Sequence, residues 1–177
     1  MTLPLKPGAR LPVRRSAQGI YVLHPGDIAC ADEGDRLQTL LGSCVSVCLN
    51  SPRRHVGGMC HIMYSGPTPP VHKHNTAYAE PAMRKLFADL RAKGVNPLSC
   101  EAYVYGGGSM FSPDGTVSAA NARVGERNVA WALEFLADSG IVLRGKSVGG
   151  TQYRKVDWLV GAEAPEVRVA AVERAIR

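Results

Sequence analysis

The stretch Gly42-Ser43-Cys44-Val45-Ser46-Val47-Cys48-Leu49-Asn50, answered after a short polar loop by Val56-Gly57-Gly58-Met59-Cys60-His61-Ile62-Met63-Tyr64, decides how the rest of the chain is read. Val45, Val47 and Leu49 alternate with Ser46, Cys48 and Asn50, the period of two that puts alternate side chains on opposite faces of a strand. The loop Ser51-Pro52-Arg53-Arg54-His55 turns the chain, and the second run returns as a strand. Cys44 to Tyr64 is therefore predicted as a hairpin pivoting near residues 51–56. Such a pivot brings the region of Cys44 against that of His61.

Outward from the hairpin the elements are short. Residues 1 to about 17 are rich in Pro, Arg and Gly without periodicity, and read as a flexible N-terminal arm ahead of a single domain over 18–177. Ile20 to Leu23 is a predicted strand ended by the turn His24-Pro25-Gly26-Asp27, and Ile28 to Ala31 re-enters the sheet. Ala79, Met83, Leu86, Phe87 and Leu90 fall at helical spacing within Thr76–Lys93, with Gly94 as the stop. Cys100 to Tyr105 alternates as a strand and runs into Gly106-Gly107-Gly108. A second helix fits Asn121 or Arg123 through Ala137, and three strands are expected near 141–148, 152–160 and 166–172. The expected class is α/β of the α+β kind: a layered sandwich of mixed β-sheet with two main helices. Strands gather at both ends of the chain with helices between them, unlike a regular βαβ winding.

With 177 residues and 45% hydrophobic content, the chain is long enough for one well-buried core. Aromatics are only 6%, so the core is expected to be aliphatic and alanine-rich. The net charge of +6 is spread over scattered Lys and Arg, with pairs such as Arg14-Arg15 but no basic block and no interleaved aromatics. That pattern argues against a nucleic-acid platform and fits solvated charge or attraction to an acidic protein surface. The five cysteines include no Cys-x-x-Cys, which argues against a disulfide framework or zinc ribbon. No secretory leader and no run of 18 apolar residues is seen, so a reducing cytoplasmic setting without membrane insertion is expected.

A thiol nucleophile needs a base within hydrogen-bond reach and a group that orients that base. Cys44 follows a Gly-Ser turn at the mouth of a strand, where backbone N–H groups around Gly42 and Ser43 can serve an oxyanion. His61 sits on the returning strand. A neighbouring imidazolium lowers a thiol pKa by several units, making a Cys–His ion pair the expected active species. From spacing alone, a buried cysteine acting as a small hydrophobe and a structural histidine account for the same residues.

The longer pattern is more specific. Thr39-Leu40-Leu41-Gly42-Ser43-Cys44-Val45-Ser46-Val47-Cys48-Leu49, then Gly57-Gly58-Met59-Cys60-His61-Ile62-Met63, resembles the chemoreceptor glutamine deamidase family, CheD. The resemblance continues through Tyr78-Ala79, Gly107-Gly108-Ser109-Met110-Phe111, Gly125-Glu126-Arg127-Asn128-Val129 and Gly149-Gly150, covering roughly residues 19 to 172. It implies a fold like that of papain-like thiol hydrolases and toxin deamidases, with Cys44 as nucleophile and His61 as general base. The third member is implied to be a threonine upstream of the cysteine; Thr39 stands five positions before Cys44, and Gln38 occupies the sixth. The implied substrates are glutamines of methyl-accepting chemoreceptors, with methyl-ester hydrolysis as a related side activity. A CheC-type phosphatase is an implied partner in some species, and no cofactor is implied.

Geometry disfavours a metal site built from the same residues. Cys44 and Cys48 on one strand stand about 13 Å apart at ~3.3 Å per residue, too far to share a zinc ion, and adjacent Cys60 and His61 point to opposite faces. His72-Lys73-His74 reads as surface loop. Gly106-Gly107-Gly108-Ser109 lacks the Gly-Lys-Ser/Thr ending of a phosphate loop, so Gly107, Gly108, Ser109 and Phe111 are expected to border the cleft as a substrate groove. The alternative to an enzyme is a non-catalytic chemotaxis adaptor that binds receptors or a CheC-type phosphatase.

Overall fold

The structure, a computed structural model, describes residues 13–110, 119–161 and 163–170. In chain order its elements are β1 (Ile20–Leu23), β2 (Ile28–Asp32), β3 (Arg36–Leu41), β4 (Val45–Ser51), β5 (Val56–Ile62), α1 (Ala79–Ala92), β6 (Glu101–Gly106), α2 (Ala119–Asp138), β7 (Val142–Val148), β8 (Tyr153–Leu159) and β9 (Glu166–Ala170). The predicted elements are all present, with ends displaced by a few residues. Helix α1 starts at Ala79 rather than Thr76, which leaves Pro81 in the first turn where its missing N–H breaks no helical bond.

The strands divide into two mixed sheets, in the orders β1-β3-β8-β9 and β2-β5-β4-β6-β7. The expected α+β class holds, and the sheet is two sheets face to face with both helices packed on the outer face of the five-stranded one. The burial of β4 and β5 shows why three layers are needed: every residue of both strands is buried. Val45, Val47 and Leu49 pack with Met83, Leu86 and Leu90 of α1 and Leu136 of α2. Cys48 and Met59, on the opposite face, pack with Leu37, Leu41, Val156 and Trp158 of the four-stranded sheet. Each large aliphatic side chain so buried stabilises the fold by about 1.5–3 kcal/mol.

The predicted hairpin is β4–β5, antiparallel, with Val45 opposite Ile62 and Ser51 opposite Val56. Between β3 and β4 the chain leaves one sheet and enters the other within three residues, Gly42, Ser43 and Cys44. Of the stretch expected as an arm, residues 1–12 lie outside the described residues. Further along it, Val13 rests on the cluster between the sheets and Arg15 Nη2 pairs with Asp35 Oδ1 at 2.7 Å.

Candidate active site

His61 stands opposite Ser46 in the β4–β5 ladder, so both side chains leave the sheet on one face. Ser46 Oγ lies 3.9 Å from Cys48 Sγ, and Cys48 belongs to the cluster between the sheets. His61 therefore projects into the inter-sheet space, where it is 2% exposed. Its backbone is fixed by the turn after β1: His61 N donates to Asp27 O at 3.0 Å, and Gly26 N donates to His61 O at 2.7 Å.

The facing sheet supplies Thr39, which is 3% exposed. Thr39 Oγ1 is 2.8 Å from His61 Nδ1 and 2.9 Å from Leu23 O. A hydroxyl has one proton, and a carbonyl oxygen can only accept. Thr39 therefore donates to Leu23 O and accepts from His61 Nδ1–H. A neutral imidazole held this way carries its lone pair on Nε2, the tautomer a general base requires. Gln38, one residue earlier, faces away and donates from Nε2 to Asp157 Oδ2 at 3.0 Å.

Cys44 lies one residue before β4 and two before Ser46, on the same side of the strand as Ser46 and diagonal to His61. Diagonal neighbours within a ladder have Cα atoms about 7–8 Å apart, but Cys44 lies just beyond the last pair, Val45–Ile62. Cys44 is half-buried and packs at the edge of the inter-sheet cluster. Burial pushes its thiol above the ordinary value, and its own backbone N–H pulls in the opposite direction. Both influences act on the thiol itself, and neither involves the His61 ring. Burial also raises the other four thiols, Cys30 and Cys60 to about 12 and Cys100 to about 11, which leaves them unreactive at neutral pH.

The glycine run brackets Cys44 from the other side. Gly107 N donates to Cys44 O and Gly108 N to Gly42 O, each at 2.8 Å. Both glycines are buried, and their N–H groups brace the turn that carries Cys44. Gly106 has φ +106°, and a Cβ there would lie 2.2 Å from Cys44 O, so only glycine fits. Ser109 is half-buried, with its N–H on Gly150 O at 2.7 Å; Phe111 lies outside the described residues. Gly42 and Ser43 are partly exposed beside Cys44, where the oxyanion donors were expected.

Sequence reasoning assigned no role to Asn128. Its Nδ2 donates to Ser43 O at 3.1 Å and to Met63 O at 3.0 Å. The available signal was a polar residue on the buried stripe of α2, in line with Gly125, Ala132 and Leu136. Two surface recesses of about 470 and 510 Å³ lie elsewhere, lined by Val13 to Asp27 and by Ser51 to Glu101 residues respectively, and neither includes Cys44 or His61. A thiol at a surface turn can meet a macromolecule without a deep cavity. Among the described residues no group of His, Cys, Asp or Glu could hold a metal ion, and no helix is long and apolar enough to cross a membrane.

Fold and site together define a layered α+β protein in which a hydroxyl from one sheet holds a buried imidazole of the other, with a half-buried thiol at the crossover between them. The family model described as CheD chemotactic sensory transduction matches residues 66–167. A protein named probable chemoreceptor glutamine deamidase CheD in Rhizobium rhizogenes is 36% identical over 161 residues, 89% of this chain and 84% of that one. Another, probable chemoreceptor glutamine deamidase CheD 2 of Albidiferax ferrireducens, is 32% identical over 136 residues, 76% of this chain and 78% of that one. This chain belongs to the CheD family. Among solved structures it aligns with Neisseria meningitidis protein NMB0706 at a TM-score of 0.42 and 12% identity over 76% of this chain and 65% of that one, a likeness too distant to carry function.

Proposed function

We propose that this chain is a protein-glutamine deamidase that converts glutamine side chains of chemoreceptors to glutamate and releases ammonia, acting on receptor segments on the cytoplasmic side. The observation that carries the reading is the contact of Thr39 Oγ1 with His61 Nδ1, together with a half-buried thiol, Cys44, at the entry to β4. The names borne by the relatives supply the substrate class.

In this mechanism Cys44 Sγ attacks the carboxamide carbon while His61 Nε2 takes the thiol proton. The imidazolium keeps its Nδ1–H on Thr39 Oγ1. The carbonyl π electrons move to oxygen, and the oxyanion meets backbone N–H groups of the Gly42–Cys44 turn. Collapse expels the nitrogen as ammonia with the proton returned from Nε2, leaving a thioester. Water, deprotonated by the same nitrogen, attacks that thioester to give glutamate and the free thiol. General acid–base help of this kind contributes about 10²–10⁴-fold, and each oxyanion donor ~10²–10³-fold. Scattered positive charge favours approach to acidic protein surfaces. A CheC-type phosphatase is a further partner under this reading.

The test is the intact mass of a receptor fragment incubated with the wild-type protein and with Cys44→Ala. Deamidation exchanges NH₂ for OH and raises mass by about one dalton per site, the outcome of acyl transfer through the thiol. The shift is expected with the wild type and absent with the variant. A folded wild-type protein that leaves the mass unchanged removes the enzymatic reading in favour of a binding adaptor.

A further inference from the structure

The ladder between β4 and β5 stops at the pair Val45–Ile62, one residue short of Cys44. Beyond it the two strands lead apart, β4 back through Ser43 to the crossover and β5 on to Met63, whose N–H turns to Ala77 O at 2.9 Å. Nothing in the ladder fixes how far Cys44 stands from His61. Asn128 bridges that gap from α2. It is 2% exposed, and its single amide nitrogen donates to Ser43 O and to Met63 O. Both partners are carbonyl oxygens, so the nitrogen end of the amide must face them, and both of its protons are used. Ser43 immediately precedes the thiol residue, and Met63 follows the imidazole by two.

A second consequence follows from the peptide group. In a trans peptide the C=O and the next N–H point in opposite directions. With Ser43 C=O drawn toward α2, the Cys44 N–H points away from the helix, to the side where its own thiol lies. The helix can come this close because Gly125, one turn before Asn128, packs on the Gly107 turn; a Cβ there would lie 2.5 Å from Gly107 O.

We infer that Asn128 is a positioning residue, its side-chain amide clamping the open end of the β4–β5 hairpin so that Cys44 and His61 are held at reacting distance and the Cys44 N–H is aimed at the oxyanion. The inference rests on the proposed thiol chemistry, but the clamp itself can be tested without the substrate.

Asn128→Asp is nearly isosteric and, when ionised, offers no donor to either carbonyl; Asn128→Ala removes the contacts outright. Each full-length variant is compared with wild type and with Leu90→Ala, a core truncation under α1 that loses stability away from the site. Steady-state deamidation is expected to show kcat lowered by about 30- to 100-fold with KM within about twofold, the signature of misplaced reacting groups in a site that still binds. Alkylation of Cys44 by iodoacetamide at neutral pH, followed on its own peptide, is expected to slow by about fivefold or more, because only the thiolate reacts. Folded Leu90→Ala is expected to keep wild-type values in both assays. Folded Asn128 variants with wild-type kcat and alkylation rate overturn the clamp, and so does loss of folding in both, which makes Asn128 a brace of the fold. If wild type fails to deamidate yet the alkylation rate follows Asn128, the proposed function falls and the clamp stands.

Discussion

Replacing Thr39 by valine deletes one hydroxyl and keeps the shape. That hydroxyl makes two buried contacts, donating to Leu23 O at 2.9 Å and accepting from His61 Nδ1 at 2.8 Å. Both partners lose a bond in a site that is 3% exposed at Thr39 and 2% at His61, so water cannot easily take over. Leaving a buried polar group unsatisfied costs about 1–3 kcal/mol, and two such groups give roughly 2–4 kcal/mol once relaxation is allowed. For a chain of this length that lowers Tm by about 5–15 °C. The chemical effect is separate. Without an acceptor at Nδ1, the ring has no bias toward the tautomer that exposes the Nε2 lone pair, and kcat is expected to fall by about 10²–10³-fold, within what a general base contributes. Thr39→Ser keeps the hydroxyl and is expected to stay within about fivefold of wild type. The assay is ammonia release from a receptor fragment at a temperature where calorimetry shows each variant folded. Wild-type kcat in folded Thr39→Val would refute the assignment of Thr39 as the group that holds His61.

At the glycine turn, Gly106→Ala must place a Cβ 2.2 Å from Cys44 O at φ +106°, so a Tm loss of at least several degrees and loss of deamidation are expected; a thermal scan showing wild-type Tm contradicts that packing. Stability should also fall in alkali. Below about pH 8.5 the thiols are neutral in both states; above it the unfolded chain ionises while buried Cys30, Cys48 and Cys60 stay protonated. The unfolded state then binds fewer protons, so stability drops with rising pH by about 1.4 kcal/mol per unit per thiol until the folded thiols ionise, near 12 for Cys30 and Cys60. Urea midpoints between pH 8 and 10 measure this, and Cys60→Ala should have the shallower slope; equal slopes would discount the buried thiol.

Part of this molecule is written locally. The alternation from Val45 to Asn50 and its return through His61 depend only on the two-residue repeat of a strand, and the hairpin formed with the expected pivot. The face assignment came with it, since Cys60 joins the helix-side cluster while His61, one residue on, turns to the other sheet. The stripe Met83, Leu86 and Leu90 fixed α1 in the same way. Thr39 could be nominated by its distance from Cys44 in the string, as the resemblance to CheD suggested.

What the tertiary structure decided is which separate strands meet. Periodicity tells a strand which face is buried but not which sheet it joins, so the division into two sheets was not legible, although it alone brings Thr39 on β3 against His61 on β5. Gly107 and Gly108 have the composition of a binding loop, yet the fold commits their amides to the backbone around Cys44. Asn128 was invisible for the same reason: an asparagine's partners are two carbonyls 85 and 65 residues away, and a sequence names side chains without saying which backbone atoms they will meet. Local pattern follows from steric rules within a few residues, whereas a site is assembled by long-range packing that no single segment encodes.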